Sequence, residues 1–122
     1  METVAFIHAE SGKDLIISFA LVATDAPGEI ESLTLLRTPM YETFLDENER
    51  GVTVSLECQD DHDLLLEVFF DKEAATIKLR TESREYDLDL RKVDPVELER
   101  MCSVFRKMNF DQRLQLNGIL GE

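Results

Sequence analysis

The amino-acid sequence predicts an α+β fold: an antiparallel β-sheet of about six strands with one amphipathic C-terminal helix, residues 94–109, packed on one face. Two observations carry this. Residues 52–91 alternate apolar and polar side chains in four short runs separated by polar turns, the pattern of an antiparallel meander. Asp94-Pro95-Val96-Glu97 then opens a segment whose apolar residues recur every three or four positions. A chain of 122 residues is of ordinary single-domain length, so residues 1–122 are expected to form one domain.

The elements follow in order. Thr3 to Ala9 and Leu15 to Val22 are rich in Val, Ile, Phe and Leu and flank the turn Glu10 to Asp14, which makes a first hairpin. Thr24 to Gly28 turns the chain into a third strand, Glu29 to Arg37. Thr38-Pro39 ends it, because proline lacks the ladder donor and restricts its predecessor. Met40 to Asn48 reads equally as a short helix or an irregular excursion, with Arg37, Tyr41 and Arg50 placed to brace it.

The meander is clearer. Val52, Val54 and Leu56 face one side and Thr53, Ser55 and Glu57 the other. Leu64 to Phe70 is apolar on nearly both faces, which places it centrally in the sheet. Ile77 to Thr81 and Tyr86 to Leu90 complete it, with Lys78 and Arg80 expected opposite Asp87 and Asp89. In the helix, Asp94 is the N-cap, Pro95 needs no donor and Glu97 is set to close a capping box. Leu98, Met101, Cys102, Phe105 and Met108 form its apolar stripe. Leu114, Leu116, Ile119 and Leu120 read as a last strand or as irregular packing.

Charge dominates the composition. Twenty-six Asp and Glu against thirteen Lys and Arg give a formal charge of −13. A field of that sign repels nucleic acid and anionic membranes and attracts basic protein surfaces. No long apolar run or basic leader is present, so a cytoplasmic protein is expected. Neither Cys58 nor Cys102 belongs to a C-x-x-C pair, and both read as small buried or half-buried hydrophobes in a reducing compartment.

Chemistry-bearing motifs are weak. Asp46 to Gly51 with Glu57 falls in register with a calcium loop, but Arg50 stands where an oxygen ligand is needed and a strand follows where a helix should. Asp60, Asp61, His62 and Asp63 gather carboxylates around an imidazole, an arrangement for a divalent metal or small ligand, although consecutive turn residues diverge. His8, within the first strand, reads as a core or edge histidine. Nucleophile elbows and Gly-rich phosphate loops are absent, so neither an enzyme nor a cofactor is expected. The expectation is a small acidic non-enzymatic interaction domain, of the kind an immunity protein, antitoxin or inhibitor would be. It would meet a basic protein partner through Asp46, Glu47, Glu49, Glu57, Asp60, Asp61, Asp63, Asp71 and Glu73, and a homodimer is compatible with its sheet edges. The alternatives are an accessory domain whose acidity serves solubility only, and a metal- or ligand-binding protein using the carboxylates near His62.

Overall fold

The computed structural model describes residues 2–22, 28–46, 50–56 and 63–119. The strands are β1 (Glu2–Ser11), β2 (Leu15–Val22), β3 (Ile30–Arg37), β4 (Thr53–Leu56), β5 (Asp63–Asp71), β6 (Thr76–Thr81), β7 (Glu85–Asp89) and β8 (Gln115–Asn117). A 3-10 turn, Pro39–Phe44, follows β3, and helix α1 (Pro95–Met108) separates β7 from β8. The class is α+β, as the sequence predicts, and the meander β4-β5-β6-β7 is antiparallel throughout.

Three features differ from expectation. The sheet has eight strands, not about six, in the order β4-β3-β2-β1-β7-β6-β5-β8. β4 also pairs with β5, so the first seven strands close into a ring. Two pairs are parallel: β1 with β7, because seven successively antiparallel strands closed in a ring leave one parallel seam, and β5 with β8, because the helix carries the chain back before its last strand. Both seams of the ring are short: Glu2↔Leu88 and Thr3↔Asp89 on one side, Thr53↔Leu64 and Val54↔Asp63 on the other. β5 is flanked on both edges, by β6 along its length and by β4 and then β8 on the other side, although its outward face is not fully covered, Phe69 being 41% exposed.

Helix α1 packs beside β1 and β2. Met101, Val104, Phe105 and Met108 are buried in one apolar core with Val4, Ile17, Phe19, Leu79 and Leu88. Each such side chain contributes about 1.5–3 kcal/mol through removal from water, and Phe105→Ala would cost about 3–5 kcal/mol. Asp94 caps the helix, accepting from the Val96 N–H at 2.9 Å. Glu97 does not close a capping box. Its Oε1 accepts instead from the Ile7 N–H of β1 at 2.7 Å, satisfying a strand donor beyond the point where β7 ends its pairing.

Two polar expectations are also corrected. His8 is not a core residue; it is exposed, 2.9 Å from Glu10, on the part of β1 beyond its pairing with β7. Lys78 does oppose Asp87, with 3.9 Å between charges, but Asp89 lies opposite Thr76 and binds Arg91. Arg80 is drawn the other way, to Glu67 on β5. At the C-terminal end, Gly118 crosses β5 so closely that a Cβ would lie 1.8 Å from the Phe70 carbonyl oxygen, and its φ is +84°. Only glycine fits there.

Candidate functional site

Of the acidic residues expected to form one face, the structure describes Asp46, Asp63, Asp71 and Glu73, and it does not gather these four on one face. Glu47, Glu49, Glu57, Asp60 and Asp61, with Cys58 and His62, lie outside the described residues. Asp63 is no surface group: it is 8% exposed and accepts hydrogen bonds from the Thr81 and Ser83 hydroxyls, fixing the start of β5 to the β6–β7 turn. Asp71 and Glu73 are exposed but sit at the far end of β5, because successive turns of a meander alternate ends. There Asp71 Oδ1 accepts from the Ala74 N–H and shapes the turn. Of the described carboxylates in the expected set, only Asp46 borders the feature that follows.

That feature is the turn between β3 and β4. β3 sends Leu33, Leu35 and Arg37 to the same inward face, so its last inward side chain is a guanidinium with 2% exposure. Every donor of Arg37 is used. Nε and one Nη2 hydrogen go to the two Glu42 oxygens at 2.7 and 2.8 Å. The remaining hydrogens go to the Asp111 carboxylate at 3.0 and 2.7 Å and to the Met108 carbonyl at 2.7 Å. The Phe110 ring stacks on the same group, 4.1 Å from centroid to guanidinium carbon. Arg113 binds Asp111 from outside at 2.6 Å, which balances two guanidiniums with two carboxylates.

The electrostatics follow from this geometry. Burial by itself would lower the Arg37 pKa, but the hydrogen bonds and charges of Glu42 and Asp111 outweigh it and hold the guanidinium above its ordinary value. Hydrogen bonding to Arg37 holds the Asp111 carboxyl at about 2. Burial raises the pKa of the half-buried Cys102 thiol above its usual value, which makes it a poor nucleophile.

Around this buried hub the turn is fixed at three points. Glu42 faces inward to Arg37, the Thr38 hydroxyl donates to Asp14 at 2.7 Å, and the Arg50 guanidinium donates twice to the Leu45 carbonyl at 3.2 and 3.1 Å. With Glu42 turned in, the other side chains are turned out. Met40, Tyr41, Phe44 and Leu45 are 51, 60, 84 and 40% exposed, and Phe110, on the hub itself, is 54% exposed. The outcome is an apolar knob on a rigid base.

The sequence placed Arg37 and Arg50 as braces, and both are; Tyr41 is not, since it points to solvent. The knob went unread. Its signal was Met40-Tyr41 and Phe44-Leu45 inside a segment too short and irregular to have a periodicity. The calcium reading of residues 46–57 meets an Arg50 already committed to Leu45 and a chain that enters β4 at Thr53. Among the described residues no group of three or more His, Cys, Asp or Glu side chains is arranged to hold a metal, and no helix is long and apolar enough to cross a membrane. No family model matches the chain, and neither the curated proteins nor the solved structures contain a significant match to it.

Proposed function

We propose that this chain is a non-enzymatic protein-interaction domain whose knob, Met40, Tyr41, Phe44 and Leu45, enters an apolar pocket with a basic rim on a partner protein. The observation that carries the reading is Phe44, 84% exposed on a turn whose base is a fully hydrogen-bonded buried arginine. A large aromatic on a pre-ordered support loses little entropy on docking, and such side chains supply most of the affinity at interfaces. The charge of −13 supplies steering toward a cationic rim and disfavours a second copy of the chain as the occupant. A reducing cytoplasm is the setting we propose, in keeping with the free Cys102.

The test is photo-crosslinking in the native host with p-benzoylphenylalanine in place of Phe44. A single adduct with a basic protein, competed by added wild-type domain but not by the Tyr41→Ala/Phe44→Ala double variant, supports the reading. Adducts that both proteins compete equally, or the absence of any adduct, would remove it, and an adduct of twice the chain mass would replace it with self-association.

A further inference from the structure

Beside Arg37 lies a cavity of about 310 Å³ lined, among the described residues, by Arg37, Arg50 and Arg113 against one carboxylate, Glu82, with Val52 and Leu64 among its apolar walls. In a chain of charge −13 this concentration of cations is against the trend. The size is at the lower bound of cavities that hold small ligands.

The three arginines are not equivalent. Arg37 has no donor left to give. Arg113 is committed through Nε to Asp111. Arg50 spends Nε and one hydrogen of Nη2 on a single acceptor, the Leu45 carbonyl, and among the described residues Nη1 has no acceptor. Its Nη1/Nη2 edge is therefore a fork of two parallel donors, the geometry that matches a carboxylate. Gly51, next to it in the lining, has φ +142°, a conformation that side chains rarely adopt.

We infer that this cavity binds a small carboxylate with an apolar body, its charge held by the Arg50 fork and its body against Val52 and Leu64. A doubly charged phosphate fits less well. Glu82 lines the wall, and Glu42 and Asp111 already neutralise Arg37, so a second negative charge would face an opposing carboxylate with little cationic charge left to offset it. The site is separate from the knob, and its test needs no partner.

The experiment is an amide NMR titration at fixed ionic strength with phenylacetate, using phenylacetamide and inorganic phosphate as controls. Phenylacetate is expected to shift the amides of Gly51, Val52 and Leu64 to saturation with a Kd on the order of 1 mM, while the controls leave them in place. Arg50→Gln should weaken binding at least about tenfold, the loss expected for a charge-assisted fork. Arg50→Lys, which keeps the charge but loses the fork, should weaken it too and covers the case in which the glutamine variant does not fold. Glu82→Gln should tighten binding a few-fold, since it removes the opposing charge and keeps an acceptor for the Leu64 N–H. Equal shifts with phenylacetamide or phosphate, or an unchanged Kd in both Arg50 variants, would overturn the assignment.

Discussion

Asp89 and Asp111 are both held at a pKa of about 2 by hydrogen bonds to an arginine. Asp89 meets Arg91, two residues along the chain, whose side chain is 76% exposed. Asp111 meets Arg37, whose partner lies 74 residues away and whose side chain is 1% exposed. The same titration therefore has different meanings. A depressed pKa stabilises a fold only to the extent that its cause vanishes on unfolding. The Asp89–Arg91 contact is local and survives in part in an unfolded chain, whereas the Arg37–Asp111 contact exists only when β3, the 3-10 turn and the end of α1 are assembled.

The largest effect that would sharpen this contrast is loss of the hub. Arg37→Met leaves Glu42, whose side chain is 10% exposed, without its cation, and should destabilise the protein by about 3–5 kcal/mol in urea denaturation. Adding Glu42→Leu should recover most of that loss, because an apolar pair needs no compensation. A recovery of nothing would show that the hub acts through Asp111 and Met108 instead.

Next is acid. Asp111 is lowered from 3.8 to about 2, so its contribution is fully present above the unfolded value and disappears as pH falls through the folded one. The urea midpoint should drop between about pH 4 and pH 2, and Asp111→Asn should flatten that part of the profile. At neutral pH the same substitution should cost about 1–2 kcal/mol, reduced from the value of a buried ionic hydrogen bond because 28% of the side chain is in water. Smaller still is Asp89→Asn, for which no measurable shift of the urea midpoint is expected despite an equal pKa. A shift as large as that of Asp111→Asn would break the comparison. Comparably small is Lys78→Ala against Asp87, where 3.9 Å and half-exposed partners predict a double-mutant coupling of about 0.5 kcal/mol or less.

How much of this was legible differs by element. The meander and helix were readable because their signals are local: alternation in Val52 to Leu90, the Asp94-Pro95 start, the three-and-four spacing through Met108. Glu97 was readable as a capping residue but not as a strand partner, since its acceptor role depends on Ile7, 90 residues earlier. Arg37 was readable as a brace for the excursion after the third strand, yet nothing adjacent in sequence identifies Asp111 as its partner. Of the expected acidic face, Asp63, Asp71 and Glu73 do not come together: composition reports how many carboxylates there are, while burial and the alternation of turns decide where each one sits. The ring closure was hidden because, while the β4–β5 seam is a local hairpin pairing, the β1–β7 seam rests on two residue pairs between segments at opposite ends of the chain.

That closure has a temporal side. β1 leaves a ribosome before β2 to β8, but its outer neighbours are Leu88 and Asp89 of β7 and Glu97 of α1. Until those residues emerge it can form only the hairpin with β2, with one edge unpaired and a row of apolar side chains uncovered. Contacts this far apart in sequence also make the final closure slow. The nascent chain thus has an interval in which an apolar hairpin is exposed, and the order of synthesis rather than final stability sets how long it must be shielded from aggregation.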